Sequence, residues 1–239
     1  PSTCKVEIRP ACTGTLLSEV SPTDARSVKV KGASGSFVEF DSAFATANPT
    51  YFDSTKLAGL SQWPALSSAQ QTLAVGATLV NYLRGNKTYE DSNSNAVPLN
   101  RLFRTREAVL GDLIDAQPVY MGKPQLSYVD SGYSAFAVTQ TTQYATTGGT
   151  VYAASNDGML HAFDARNGNE RWAFIPTPVL PELWRLADNA YGSNHRNYVN
   201  GTPVVTDVYC PSNCGTPSTA RWKTILVGGL MVGGAVTTR

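Results

Sequence analysis

Three features of the sequence predict a mainly β chain with a few helices: the opening of an incomplete β-propeller, preceded by an N-terminal β/α segment. The first is a series of short apolar runs separated by tight turns: residues 151–154, the turn Asn156-Asp157-Gly158, residues 159–163, the turn Asn167-Gly168, and residues 171–174. Asp-Gly and Asn-Gly between apolar runs mark hairpins, because glycine supplies the positive φ such turns need. Three antiparallel strands in succession make most of a propeller blade. The second feature is a further pair of strands at 204–209 and 222–227, followed by Gly-rich text where another strand should begin. The third is composition. Only 15% of residues are charged, and Ser, Thr, Asn, Gly and Tyr are abundant, as in secreted β-rich surface proteins.

Taken in order, residues 1–85 form a strand and helix segment leading into the propeller. Lys5-Val6-Glu7-Ile8, Val28-Lys29-Val30 and Phe37-Val38-Glu39-Phe40 alternate as strands do. Residues 41–64 carry turn residues and the aromatics Phe44, Tyr51, Phe52 and Trp63 without a clean period. One helix is expected next, N-capped by Ser67 or Ser68, passing through Leu73, Ala74, Ala77, Val80 and Leu83 and stopping at Gly85. Residues 86–106 read as a polar linker, and 107–239 as the first blades of a truncated propeller. Within the latter, 118–121 is a strand, 123–149 a Tyr/Gln/Thr insertion helical around Tyr133 to Tyr144, and 181–186 a short helix opened by proline. A closed propeller needs about four blades of four strands. The chain therefore leaves an open edge for the remaining blades or a partner chain to cover.

Charge excludes several functions. The net charge is +1, and nucleic-acid binding needs clustered Lys and Arg. The one dense group, Arg101, Arg104 and Arg106, reads as a solvated face or local salt bridges. No apolar run of about 18 residues exists to span a membrane. No signal peptide opens the chain, and Pro1 reads as an interior residue of a longer precursor. The cysteines form two close pairs, Cys4/Cys12 and Cys210/Cys214, and local disulfides are the simplest of the three pairings available. Zinc is disfavoured, because three residues separate Cys210 from Cys214 and no second pair or histidine stands at ligand spacing. Disulfides place the chain in an oxidising compartment.

No catalytic constellation appears. Ser, Cys and His do not combine into a nucleophile with a base, and neither a Gly-x-Ser-x-Gly elbow nor a phosphate loop is present. His161 is expected to pack against a neighbouring blade, and His195 to hydrogen-bond at the surface. Asp91, Asn93 and Asn95 mimic the first ligands of a calcium loop. Ala96 and Leu102, however, stand where that loop needs Gly and a bidentate Glu, so a polar linker is the better reading.

The run Ala162-Phe-Asp164-Ala-Arg-Asn-Gly168-Asn-Glu-Arg-Trp172 resembles the tryptophan-docking repeat of quinoprotein-dehydrogenase-like propellers. That resemblance implies a small Ala162 in a crowded strand, Asp164 capping a turn, Gly168 at positive φ and Trp172 buried between blades. Ordered motifs over residues 80–234 then narrow the likeness: Leu83-Arg84-Gly85, Val109-Leu110-Gly111-Asp112, Gln117-Pro118-Val119-Tyr120, Tyr198-Val199-Asn200-Gly201 and Lys223 to Leu230. On these the chain resembles the PilC/PilY family of type IV pilus tip proteins.

The resemblance implies a non-enzymatic, extracellular protein at the pilus tip or outer surface. It would be exported through the periplasm and act in pilus assembly, twitching motility and adhesion, with minor pilins and a host-cell or surface receptor as partners. No cofactor is expected within this stretch; calcium belongs, if anywhere, to the full-length protein. Family members often carry Arg-Gly-Asp where this chain has Arg84-Gly85-Asn86, so recognition through that acid does not carry over, and Asn200 replaces a frequent Asp. The alternatives are an outer-membrane propeller scaffold and a fragment of a quinone-dependent dehydrogenase. The enzyme is opposed by the lack of adjacent cysteines. The Tyr133–Tyr144 insertion is the expected contact surface.

Overall fold

The computed structural model describes residues 26–92, 94–211 and 221–230. Its central sheet contains β1 (Val28–Lys31), β2 (Phe37–Glu39), β3 (Val119–Met121), β4 (Thr150–Ala154), β5 (Leu160–Asp164) and β6 (Glu170–Ile175). The spatial order is β2-β1-β6-β5-β4-β3. Strands β3 to β6 form an antiparallel meander, the four-stranded blade anticipated from the turn residues. The β4–β5 turn is held by Gly158 at φ +90°, where an added Cβ would also lie 2.3 Å from a Leu183 methyl.

The N-terminal hairpin was not anticipated as part of this blade. Strand β1 pairs in parallel with β6, Val28 opposite Ala173 and Val30 opposite Ile175. All four side chains are 0% exposed. The β-branched valines suit a pleated, two-sided burial, and they widen the blade from four strands to six. The strand expected at 5–8 lies outside the described residues, as do Cys4, Cys12, Asn93 and Cys214.

Short helices cover the Val28 face of the sheet: α1 (Ser42–Ala47), α2 (Ser54–Leu57), α3 (Ser68–Ala74) and α4 (Ala77–Leu83). The first two occupy the stretch without a clean period. Each is too short for periodicity to register, but Asp41 and Asp53 cap them by accepting from Phe44 N and Lys56 N. The single helix expected from Ser67 to Gly85 is two helices. Ser67 does open α3 with a full capping box to Gln70. At Gly76, however, φ is +63° and the N–H donates to Phe52 O at 2.8 Å, so the helical ladder breaks there. The short helix at 181–186 is a longer 3-10 stretch, Thr177–Ala187, that buries Leu180, Leu183 and Trp184.

Residues 86–106 do not behave as a polar linker. Leu102 and Phe103 are 0% exposed and belong to the same core as Val28, Phe40, Tyr82 and Ile175. Their polar surroundings are tied down by the Arg106–Glu90 ion pair at 2.8 Å, with the Arg106 guanidinium 3.7 Å above the Tyr82 ring. The basic triplet is thus structural: Arg104 stacks over Tyr191, and Arg101 donates to Asn95 O.

Strands β7 (Val204–Tyr209) and β8 (Trp222–Val227) form a separate antiparallel pair. Helix α5 (Tyr133–Thr147) is inserted between β3 and β4. Among the described residues no helix is long and apolar enough to cross a membrane.

Candidate functional site: a buried ion network and open blade faces

The buried charges around His161 are structural. His161, 0% exposed, places Nδ1 2.7 Å from Glu170 and Nε2 3.1 Å from Asp157. Glu170 also accepts from Arg26 at 2.6 Å, and Asp157 from the Gly111 N–H. Each ring nitrogen faces a carboxylate, so both must carry a proton and the ring is an imidazolium. Burial alone would lower its pKa; the Asp157 charge, reinforced by Glu170, overrides burial and raises it to about 9. Burial would likewise raise Glu170, but hydrogen bonds from His161 and Arg26 hold it at about 2. His161 therefore does not pack against a neighbouring blade as expected; it sits inside its own, stacked on Phe163 at 5.7 Å. The sequence signal was weak, because Glu170 reaches His161, and Arg26 reaches Glu170, only once β5, β6 and the start of β1 are side by side.

The motif residues take distinct places. Ala162 is 0% exposed in mid-sheet. Asp164 accepts from the Arg166 side chain at 2.7 Å and also contacts Arg171; the Arg166 hydrogen bond holds its carboxyl well below the usual range. Gly168 has φ +72° and donates to Asp164 O at 2.7 Å. Trp172, expected to be buried, is half-buried, with the Tyr152 ring 6.0 Å away. In this chain Trp172→Ala should therefore cost about 1–2 kcal/mol in urea denaturation, below the roughly 3–5 kcal/mol of an enclosed tryptophan. A loss above that lower range would mean that the indole is enclosed.

The remaining candidates are tied into local structure. Asp91 accepts from Asn189. Asn95 donates to Thr88 O and Glu90 O and accepts from Val97 N, so it folds its own loop. Among the described residues no group of three or more His, Cys, Asp or Glu is placed to hold a metal. Arg84, Gly85 and Asn86 are all buried, which makes that turn a packing element rather than a presented loop. His195 bonds Asp112 at 2.9 Å near the surface. Cys210 is 4% exposed and disulfide-bonded; its expected pairing with Cys214 falls outside the described residues.

The expected contact surface needs correction. Tyr133 is 3% exposed, and its hydroxyl lies 2.8 Å from the buried Asp207 carboxylate. Burial, then that hydrogen bond, push its pKa up to about 12. It packs against Trp222, on which Tyr128 stacks at 5.1 Å. What α5 exposes is uncharged: Val138, Thr139, Thr142 and Gln143. A second open surface is the far side of the β7–β8 pair, where Val204 and Val227 are 56% and 53% exposed and Ile225 is 37% exposed.

Comparison with known proteins bears on these open faces. A family model described as the PilY1 beta-propeller domain matches residues 110–237. Over 167 residues the chain is 38% identical to the type IV pilus biogenesis factor PilY1 of Pseudomonas aeruginosa strain PAK, a match covering 66% of this chain and 13% of that protein. It is 35% identical over 168 residues to a PilY1 homolog of Xylella fastidiosa strain Temecula1, covering 67% of this chain and 12% of that protein. The chain thus spans only a small part of the length of these relatives. No solved structure matches it significantly.

Proposed function

Because the chain belongs to the PilY1 β-propeller family, we propose that it is the opening of the propeller of a type IV pilus biogenesis protein, acting by binding and not by catalysis. One observation carries this reading. A complete blade is followed by a two-strand start of a second, whose far side bears exposed Val204, Ile225 and Val227. A two-stranded ribbon is marginal alone, and a sheet face of β-branched residues is one made to be covered. The run Ala162 to Trp172 supports the quinoprotein-dehydrogenase-like variety of propeller. The electrostatics support a scaffold, since the strongly shifted acids and the buried histidine are committed to ion pairs.

In this reading the protein sits extracellularly at the pilus tip or outer surface, contacts minor pilins and supports twitching and adhesion. The pairs Cys4/Cys12 and Cys210/Cys214 are its disulfides. Deleting the gene should abolish surface pili in electron micrographs, and restoring it should return them. Normal piliation and twitching in the deletion strain would overturn the proposal.

A further inference from the structure

We propose that the free edge of β2 is a strand-binding site, and that its occupant is the segment Lys5-Val6-Glu7-Ile8 of the same chain, added antiparallel. Strand β2 ends the order of the six-stranded sheet, so no described strand lies on its outer side. The Phe40 N–H donates to Val28 O and the Gly32 N–H to Ser36 O, and Val38 is paired with Val30. Bonded pairs alternate along an antiparallel ladder, so residues 36, 38 and 40 turn their main-chain groups toward β1. The N–H and C=O groups of Phe37 and Glu39 therefore point off the edge, at the spacing a further strand uses. The hairpin lies outside residues 110–237, the stretch that the family model matches, so this edge is not part of the matched propeller.

The side chains at this edge are incomplete as well. Val38 shares the core face with Val30, yet it is 39% exposed where Val30 is 0% exposed. Phe37, on the other face, is 68% exposed. Glu39 accepts from Lys29 and Ser27 through Oε1, while its Oε2 is buried and has no partner among the described residues. The edge thus calls for an apolar side chain on one face and a cation beside Glu39 on the other. An unpaired edge flanked by apolar side chains accepts another strand readily.

Lys5-Val6-Glu7-Ile8, which lies outside the described residues, has that pattern. Directly opposed residues share a face, so antiparallel pairing of Val6 with Val38 sets Lys5 opposite Glu39 and Glu7 opposite Phe37. A parallel strand with the same Val6–Val38 pair would set Glu7 opposite Glu39. So would an antiparallel strand with Ile8 opposite Val38, and like charges directly opposed destabilise a sheet. Pro10, unable to donate to a ladder, stops the strand. Residues 9–25 join the segment to Arg26. At up to about 3.3 Å per residue, they far exceed the two strand spacings of about 4.8 Å and the length of β2 that must be crossed.

Amide hydrogen exchange of the full-length gene product, read by mass spectrometry with residue-level fragmentation, tests this. The Phe37 and Glu39 N–H groups are expected to exchange roughly tenfold or more slowly in the unsubstituted protein than in a Glu7→Pro variant, which removes the donor opposite Phe37. Exchange of both at the rate of exposed loops in the unsubstituted protein overturns the site. Protection that survives Glu7→Pro means that a partner's strand or a second copy covers the edge, and overturns the assignment to Lys5–Ile8. Paired cysteines check the register. Opposed residues of a non-bonded pair have Cα atoms about 4.5 Å apart, within reach of a disulfide. Val6→Cys with Val38→Cys should therefore cross-link on mild oxidation, and Ile8→Cys with Val38→Cys should not; the reverse result overturns the Lys5–Glu39 pairing. None of these outcomes depends on blades that follow β8, so the propeller reading stands or falls separately.

Discussion

Replacing His161 by alanine is expected to remove about 3–5 kcal/mol of stability, because it strips a cation from between two buried carboxylates. Glu170 would keep Arg26, but Asp157 would keep only the Gly111 and Met159 N–H groups. The pH profile distinguishes this from simple loss of packing. The folded-state pKa of His161, about 9, lies above its ordinary 6.5, so its contribution is complete below about pH 6.5 and is lost as pH rises through 9. Glu170, at about 2 against an ordinary 4.5, contributes above about pH 4.5 and loses its contribution as pH falls through 2. Urea denaturation of the wild-type chain should therefore show stability declining from pH 6.5 to 9, and the alanine variant should lack that decline. A variant within about 1 kcal/mol of wild type, or an unchanged alkaline slope, would refute the imidazolium assignment.

Arg84→Ala should be comparably damaging. The guanidinium donates to Phe40 O at 2.9 Å and Arg26 O at 2.8 Å, and the Arg84 carbonyl in turn accepts from Arg26. Truncation removes the hydrogen bonds to two carbonyls, at roughly 1–3 kcal/mol each, and the packing of the aliphatic stem, about 3–5 kcal/mol together. Arg84→Lys should recover only part, since an ammonium cannot span both acceptors as the planar fork does. Equilibrium denaturation of the three proteins decides. Equal stability of Arg84→Ala and wild type would mean that this turn is not a structural clamp and would reopen a presented role for it.

The legibility of the fold divides along the range of the interactions. The turns at Asp157-Gly158 and Asn167-Gly168, the meander β4–β6, the strands β7 and β8 and the Ser67 cap were all readable, because each depends on residues a few positions apart. The split at Gly76 was less so: a glycine inside an apolar helical pattern costs only about 1 kcal/mol, and what breaks the helix is a hydrogen bond to Phe52 O. Leu102 and Phe103 were hidden by the polar text around them. Trp172 was legible as a blade residue, but its half-burial is set by how β6 packs with its neighbours, which its own motif does not encode.

What the sequence determined by itself is the local grammar: strand, turn and cap chemistry, the low charge, and the ordered motifs that place the chain in its family. The tertiary structure alone decided that the N-terminal hairpin joins the blade, that Arg84-Gly85-Asn86 is buried and that His161 is a cation. The physical reason is the same in each case. Parallel pairing of β1 with β6 joins segments far apart in the chain, Val28 with Ala173, and burial and charge partners are set by which distant segments meet. Neither local propensity nor periodicity encodes that meeting.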